Sequence, residues 1–548
     1  MTTVVPTHQL SNGMAFRPYA ITERSYTKKT KAVPKDLANA LANPEQHSAV
    51  HPGKGRLYIG QGAVRPDAHQ RYPIWLPAHI LDSHMLIAGM IGSGKTTVLF
   101  RLLAGAVRTY GSVVISEAKA GIAGSAEGAA FTDLAYYLKL KFPTLRLHRW
   151  PRGDCWFNPL LYLQSPQDRR TFLSSICGQI ESDSHISGDV VAFVHNAASI
   201  AEQIIAFMQL QESRTQAPCT LRRLVMYMKD AKAFGVLLQA AIKSEESEEA
   251  RSQLEEIRAQ LLMFNFFYQS KPEFAMTRHG VNLFYRMFDH EDLLSFSEPR
   301  DDLANLEIED ILYQKSLVII SQPLYDAASA VVGPLFWDSL LARVIELGPL
   351  SAAESVVKPE PEDGDGRRRR QKVLAVLDET HRLPVGRLGE SGDFLREYAL
   401  GLVEITPAIV DEERWMQNKH VYQTLISLSP GVPEVVELMW ERLPNYFLKK
   451  AYVQMDADTQ ESLAIRSDYK YQLGEDNPGV SVRSLQMTRR YTGLIQSSAL
   501  DDERKVFWID FEDELLANMK QLLQAALMPT CHLDIRRAVD YALGLDEF

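Results

Sequence analysis

The stretch HMLIAGMIGSGKTTVLF, residues 84–100, constrains the fold of this chain more than any other part of its sequence. The segment from Gly89 to Thr96 fits the pattern G-x-x-x-x-G-K-[ST] without a gap. A chain of this length meets that pattern by chance about one time in fifty at average composition, so the flanking residues decide its meaning. An apolar strand pattern precedes it and a helical pattern follows it. In this setting backbone N–H groups and a helix N-terminus surround a phosphate, so the sequence predicts a phosphate-binding loop, or P-loop.

The P-loop supplies the predicted nucleotide contacts. Lys95 is expected to reach the β- and γ-phosphates of ATP and to act in catalysis, and the Thr96 hydroxyl is expected to coordinate Mg²⁺. The predicted nucleotide-binding residues are Gly89, Gly92, Ser93, Gly94, Lys95, Thr96 and Thr97.

A regular alternation of strand and helix patterns surrounds the P-loop. HMLIAG, SVVISEA and LRLHRW are typical of buried strands, and helical patterns lie between them. Before them, residues 56–76 show short apolar pieces broken by Gly and Pro, which indicates edge strands or a hairpin. Strands that alternate with helices at this spacing predict an α/β fold with a mostly parallel, doubly wound sheet.

The pattern changes along the chain and predicts five divisions. Strand patterns nearly vanish from about residue 164 to 310, where apolar residues recur at helical spacing, and they return with QKSLVIISQPL. The predicted divisions are a flexible or loosely packed N-terminal arm (1–55), the first part of a nucleotide-binding domain (56–163), an all-helical insertion (164–310), the second part of the nucleotide-binding domain (311–510) and a C-terminal helical tail (511–548).

Composition limits the class of protein. The 548 residues carry a net charge of -10, so any contact with a polyanion must be a local basic patch. The four cysteines are scattered without paired spacing, which predicts a reduced, cytoplasmic compartment with neither disulfides nor a zinc site. No stretch reaches the roughly 18 consecutive apolar residues of a spanning helix, so we expect no intrinsic membrane span and, at most, peripheral attachment to the inner membrane through partners.

A second motif lies about 280 residues after the P-loop. VLAVLDETHR places Asp378 and Glu379 at the end of a continuous apolar strand. Asp378 is expected to hold the Mg²⁺ shell through water, and Glu379 to polarise the attacking water. An acidic end to a buried strand is a weak signal alone, and it gains weight from the P-loop upstream.

Taken together, the motifs from about residue 56 to 510 resemble the FtsK/HerA superfamily of ring-forming motor ATPases. The P-loop, SEAKAG, the FNPL turn, the helical insertion, SLVIISQPL and LDETHRLP follow in that family's order. Within the superfamily they are most similar to type IV secretion coupling proteins of the TraD/TraG kind. The resemblance implies a RecA-like P-loop NTPase fold, ATP and Mg²⁺ as cofactors, a homo-hexameric ring, DNA as the moved polymer, and relaxase or secretion-channel proteins as partners.

The sequence departs from this family at three places. SEAKAG has Glu117 where the family usually has Asp, and LVEITPAI offers Thr406 as the sensor candidate where the family's sensor strand usually ends in Gln. Coupling proteins also usually begin with membrane helices, and we expect none in this sequence.

Two sets of basic residues are candidates for further roles. His381, Arg382 and Arg387, just past Glu379, are expected either to contact DNA in the pore of a ring or to pack on the P-loop of their own subunit, with equal weight. Ring motors also need an arginine from a neighbouring subunit. The candidates are Arg414, Arg442, Arg489 and Arg490. Each of them also fits an ordinary surface or ion-pair arginine, and the sequence does not choose among them.

Three functions fit the sequence. The first is an ATP-hydrolysing ring motor that translocates DNA in conjugation or type IV secretion. The second is a nucleotide-gated adaptor that recruits protein or relaxase substrates to a secretion channel, with the insertion as the binding module. The third is a HerA-like motor in DNA processing or defence that works with a separate nuclease.

Overall fold

The structure is a computed structural model. It describes residues 3–4, 20–24, 55–63, 72–118, 128–184, 188–215, 217–322, 328–350, 370–379, 388, 395–409, 415–416, 419–428, 432–441, 447–455, 462–472, 492–497, 506–510, 519–529, 531 and 533–545.

The secondary structure of this part alternates strands and helices on either side of a long helical stretch. The strands are β1 (Thr3–Val4), β2 (Ala20–Arg24), β3 (Arg56–Ala63), β4 (Tyr72–Pro77), β5 (Met85–Ala88), β6 (Gly111–Glu117), β7 (Arg146–Trp150), β8 (Cys155–Trp156), β9 (Ala304–Asn305), β10 (Ser316–Ser321), β11 (Lys372–Asp378), β12 (Leu400–Thr406), β13 (Thr424–Leu428), β14 (Phe447–Met455), β15 (Ser462–Gln472), β16 (Thr492–Ser497) and β17 (Val506–Asp510). The helices are α1 (Lys95–Thr109), α2 (Gly128–Lys141), α3 (Pro166–Ser184), α4 (Gly188–Thr215), α5 (Leu221–Lys229), α6 (Ala231–Ser244), α7 (Glu248–Met263), α8 (Ala275–Arg286), α9 (Glu291–Ser295), α10 (Ile308–Tyr313), α11 (Ser329–Glu346), α12 (Pro433–Glu441), α13 (Met519–Leu527) and α14 (Leu533–Leu543).

An eleven-stranded sheet lies at the centre, in the order β4-β3-β17-β16-β13-β5-β12-β11-β6-β10-β7. The seven strands from β13 to β7 run parallel to one another. The other four extend the sheet antiparallel, and β3 and β4 form the hairpin that the sequence indicated. This confirms the predicted α/β fold with a mostly parallel, doubly wound sheet, in which the C-terminal ends of β5, β12, β11 and β6 share one edge.

Successive residues of the parallel strands face two different cores. In β11, Leu374 and Val376 belong to one buried cluster, whereas Val373, Ala375 and Leu377 belong to the other. This alternation follows from the two-residue period of a strand, and burial of both faces explains why the strands read as continuous apolar runs.

The first core contains the helical insertion. Helices α3 to α9 lie between β8 and β9, which pair in parallel and bring the two ends of the insertion together. Buried residues of these helices form one cluster with the sheet residues on that face and with α11. The exact limits of the insertion as a domain stay a prediction.

Helix α4 is the central helix of the insertion and packs against α3, α5, α7 and α8. In the described part of the chain, its segment Val190–Glu212 is long and apolar enough to cross a membrane, with a mean hydropathy of 1.5. Half of the apolar window is buried against the protein, as expected for a core helix.

The second core contains α1 and α2, with α13 and α14 from the end of the chain. On α1, Arg101 Nε donates to the carbonyl of Ala542 at 2.7 Å and Arg108 Nη1 donates to the carbonyl of Gly544 at 2.8 Å. The helical pattern of the C-terminal tail therefore corresponds to helices packed beside the P-loop helix.

A second, four-stranded sheet has the order β1-β2-β14-β15. Its strands β1 and β2 come from residues 1–55, where the sequence predicted a flexible or loosely packed arm. Strand β2 pairs antiparallel with β14, which lies more than 400 residues away. The limits and the character of the arm stay a prediction. The pairing is long-range, so the local composition of the arm gave no sign of it.

Candidate nucleotide site

The P-loop lies between β5, which ends at Ala88, and α1, which begins at Lys95. Gly92 and Gly94 have φ angles of +82° and +99°, a region that residues with a side chain rarely adopt. Gly94 is also the N-cap of α1, so the loop closes directly onto the positive end of the helix dipole. The spacing of the glycines is therefore required by the backbone itself.

Gly89 is required for a different reason, which is close packing. A Cβ atom at this position would lie 2.6 Å from Ser93 Oγ and 2.9 Å from Leu428 Cβ. Ser93 is fully buried beneath the loop. The first glycine thus lets the loop fold tightly over Ser93 and β13.

Lys95 is held inside the loop. Its Nζ donates to the carbonyl oxygens of Gly89 at 2.6 Å and Met90 at 3.1 Å, and the residue is 8% exposed. These bonds keep the ammonium group in the concavity where a phosphate would lie. The next two residues, Thr96 and Thr97, are partly buried in the first turn of α1, and their backbone N–H groups belong to the helix N-terminus.

The acidic motif ends a buried strand at the same edge of the sheet. Asp378 is the last residue of β11 and is 3% exposed. Leu374, Val376 and Asp378 are two residues apart along the strand, so their side chains lie on the same face of the sheet. This is the face on which α1 packs. Strand β12 separates β11 from β5, which sets the acidic residues about 10 Å from the P-loop strand at ordinary strand spacing. That gap has room for a phosphate group and a water molecule.

Glu379 follows Asp378 with a φ of +58°. A left-handed conformation is uncommon for a residue other than glycine and costs roughly 1–2 kcal/mol. Such strain concentrates at functional sites, where the surrounding structure enforces it. It turns the chain sharply as it leaves the strand and places Glu379, partly buried, at the edge of the sheet.

A second buried carboxylate, at Glu117, lies beside Asp378. Leu377 pairs with Ser116, so the residues that follow them end two neighbouring strands side by side. Glu117 is 1% exposed, and it lies on the same face of the sheet as Val113 and Ile115, which face α1. The sequence marked Glu117 only as a mild departure from the family. The sequence does place Glu117 at the end of a buried strand, and that position could have indicated that it belongs to the site.

Thr406 ends β12, directly between the P-loop strand and the acidic strand. Its carbonyl oxygen accepts a hydrogen bond from the N–H of Gly89 at 3.3 Å. Its hydroxyl, however, donates to the carbonyl oxygen of Ala408 at 2.5 Å and accepts from the N–H of Ala408 at 3.3 Å. Thr406 therefore contacts the P-loop through its backbone, while its side chain closes a turn of its own segment.

The remaining candidates lie outside the described residues. These are the proposed DNA contacts His381, Arg382 and Arg387, and the arginines Arg414, Arg442, Arg489 and Arg490.

The described residues fit ATP with Mg²⁺ by their donor set. They contain no group of three or more His, Cys, Asp or Glu side chains that would hold a metal without help. Mg²⁺ usually keeps several waters and takes one or two protein ligands together with phosphate oxygens. The Thr96 hydroxyl and the Asp378 carboxylate, which flank the P-loop and the acidic strand end, match that requirement.

A P-loop after a buried parallel strand, with an acidic strand beyond one intervening strand of the sheet, defines the RecA-like P-loop NTPase fold. No protein-family model and no curated protein match the chain. Solved structures do match. Plasmid coupling protein TrwB in complex with ADP and Mg²⁺ has a TM-score of 0.46 and 12% identity, over 84% of this chain and 95% of that one.

TrwB with the GTP analogue GDPNP matches at a TM-score of 0.45 and 13% identity, over the same shares of the two chains. VirB4 of Thermoanaerobacter pseudethanolicus matches at 0.43 and 12%, over 84% of this chain and 97% of that one.

Proposed function

We propose that this chain is an ATP-hydrolysing ring motor that translocates DNA, of the kind that couples conjugation to type IV secretion. The observation that carries the proposal is the convergence of the P-loop with Asp378 and Glu379 at one edge of the sheet. Two motifs some 280 residues apart in the sequence are separated there by a single strand.

Each residue has a defined task in this proposal. Lys95 would exchange its bonds with the loop carbonyls for phosphate oxygens. Thr96 would hold Mg²⁺ directly and Asp378 would hold it through water, and the ion would neutralise charge on the phosphates. Glu379 orients the attacking water and accepts its proton. Glu117, beside Asp378, fixes the charge and hydrogen bonding around the Mg²⁺ ligand.

The ring and its partners are inferred. Ile91 at the tip of the P-loop is 88% exposed and Met90 is 53% exposed, so an apolar surface surrounds the nucleotide position. A neighbouring subunit would cover it in a homo-hexamer. DNA contact falls to the loop with His381, Arg382 and Arg387, and relaxase or secretion-channel proteins would attach the cytoplasmic ring to the inner membrane.

The test measures ATP hydrolysis by the full chain with and without single- and double-stranded DNA. We expect DNA to stimulate the rate several-fold, and we expect Lys95→Ala and Glu379→Gln to remove hydrolysis by roughly 10²- to 10⁴-fold. Lys229→Ala and Glu255→Gln, on helices of the insertion, are matched controls that should hydrolyse ATP normally.

Three results would contradict parts of the proposal. Normal hydrolysis by Glu379→Gln would remove the assigned water-orienting residue. A chain that stays monomeric with ATP at working concentration would rule out the ring. Hydrolysis that ignores DNA, in both rate and oligomeric state, would favour the second function below.

The side chain of Thr406 favours that second function, a nucleotide-gated adaptor. Its hydroxyl is engaged with Ala408, so a link from the γ-phosphate to movement is weaker here than in a strand that ends in Gln. In this case ATP would control assembly or release, and the helical insertion would bind the protein cargo.

A further inference from the structure

A cavity of about 490 Å³ lies within the helical insertion, away from the strand ends that carry the nucleotide site. The start of α3 lines it with Arg169 and Arg170, and the middle of α4 lines it with Glu202 and Gln209. Helix α7 closes the third side with Gln253, Glu256 and Ile257, so the lining carries two arginines and two carboxylates. Its volume is within the range of small-molecule sites, roughly 300–1,000 Å³.

Two charged residues that line this cavity are buried, Arg169 with 8% exposure and Glu202 with 7%. Arg169 Nη1 donates to the carbonyl oxygen of Gln164 at 2.6 Å and to Gln209 Oε1 at 2.9 Å. Its Nε is buried and has no hydrogen-bond acceptor in the described part of the chain. Burial lowers the pKa of Arg169, and the negative charges of Glu202 and Asp168 offset that effect only in part. A further anion in the cavity would favour the charged form of Arg169.

The Glu202 carboxylate, which also lines the cavity, is already engaged by another arginine. Glu202 accepts from Arg170 Nε through both oxygens, at 3.0 and 3.2 Å. The Arg170 side chain reaches out to solvent at the rim, whereas Glu202 is buried. Among the described residues Arg169 forms no ion pair of its own, so its positive charge stays available to a ligand.

The surroundings of Arg169 are fixed in advance. Gln209 Nε2 donates to the carbonyl oxygen of Leu163 at 3.1 Å, which directs Gln209 Oε1 towards Arg169. A guanidinium held in one orientation by neutral acceptors loses little conformational entropy when it binds an anion. The site is therefore built before a ligand arrives.

We propose that this cavity binds a small anion that carries a phosphate or carboxylate group, with Arg169 as its main partner. The insertion, residues 164–310, has 23 acidic and 14 basic residues, so it repels a polyanion such as DNA. A small anion meets much less of that repulsion because it carries only one or two charges. Because the cavity joins α3 and α4 to α7, a bound ligand ties these three helices together.

The test measures binding of inorganic phosphate and of succinate by calorimetry, with chloride at the same ionic strength as the reference. Because the P-loop also binds phosphate, the measurement uses the full chain with the Lys95→Ala substitution. We expect saturable binding of one of the two probes at one site per chain. Arg169→Gln should weaken it about 10- to 100-fold, the effect of a lost charge-assisted hydrogen bond. Arg258→Gln, an exposed arginine of α7 outside the cavity, is the matched control and should change affinity less than twofold.

A second variant covers the case in which Arg169→Gln fails to fold. Ala206 lines the cavity on α4, and Ala206→Leu fills the space while it keeps every charge. Loss of binding in Ala206→Leu supports the site, and wild-type affinity in that variant overturns it. Failure of both probes to bind, or unchanged affinity in a folded Arg169→Gln chain, also overturns the proposal. Which probe binds decides between a phosphate and a carboxylate ligand.

Discussion

The two halves of the nucleotide site are built in opposite ways. The P-loop is continuous in sequence, and the φ angles of Gly92 and Gly94 together with the packing of Gly89 determine its shape locally. The facing half consists of the ends of β11 and β12, which reach the site only through long-range strand pairing. The local half follows its sequence pattern closely, and the long-range half departs from it at Thr406. The residues proposed to bind the nucleotide and those proposed to hydrolyse it therefore depend on different kinds of contact.

The largest effect is expected from Glu379, in the long-range half. Glu379→Gly removes the carboxylate and also the left-handed strain, because glycine adopts a φ of +58° freely. Hydrolysis should fall by about 10²- to 10⁴-fold, while the free energy of unfolding rises by about 1 kcal/mol. Urea unfolding and ATPase rates measure the two changes. Glu379→Gln is the control, since it should lose activity without the gain in stability. Equal stability of the two variants would show that the strain costs nothing.

The next largest effect is expected from Gly94, in the local half. Gly94→Ala forces a methyl group into a φ of +99°, which costs roughly 1–2 kcal/mol and displaces Lys95. ATP affinity should fall about tenfold or more, as measured by titration with a fluorescent nucleotide. Gly178→Ala, in the exposed middle of α3 with open space around it, should instead stabilise the chain by roughly 0.5–1 kcal/mol. If both variants behave alike, the P-loop does not depend on the backbone of Gly94.

A smaller effect is expected at Thr406, the residue at which the long-range half of the site contacts the P-loop. Thr406→Val removes the hydroxyl but keeps the shape of the strand end and the backbone bond to Gly89. We expect ATP affinity within about threefold of wild type and a loss of about 1 kcal/mol in stability, from the bonds to Ala408. A hundredfold loss of hydrolysis with intact folding would mean that the hydroxyl senses the γ-phosphate after all.

The smallest effect lies at His148 in β7, five strands from the P-loop strand. Burial lowers the pKa of His148 below its usual value, so the fold holds the neutral form. The unfolded chain takes up the proton first as the pH falls, so this stability is present above about pH 6.5 and is lost below it. Between pH 7.5 and 5.5, wild type should lose up to about 1 kcal/mol more than His148→Asn in urea unfolding. His279→Asn, on the surface of α8, is the control, and an equal loss in all three chains would refute the prediction.

The sequence predicted the local half of the site and the character of the sheet because both depend on short-range patterns. Apolar runs indicated β5, β6 and β11, and the glycine spacing indicated the P-loop. The sequence did not predict the strand order, because register depends on pairing across the whole chain. For that reason it did not predict that Asp378 and Glu117 lie side by side. The left-handed Glu379 and the bond between Thr406 and Ala408 were hidden for the same reason, since each depends on how a strand end is held.

The contact between α1 and the segment that follows it by more than 400 residues has a consequence for synthesis of the protein. Arg101 and Arg108 bind carbonyl groups 441 and 436 residues further along the chain. At about 5–20 residues per second, a ribosome delivers those partners roughly 20–90 s after α1 has emerged. During that interval the P-loop helix lacks part of its apolar cover, so the nascent chain would be a substrate for chaperones until α14 docks.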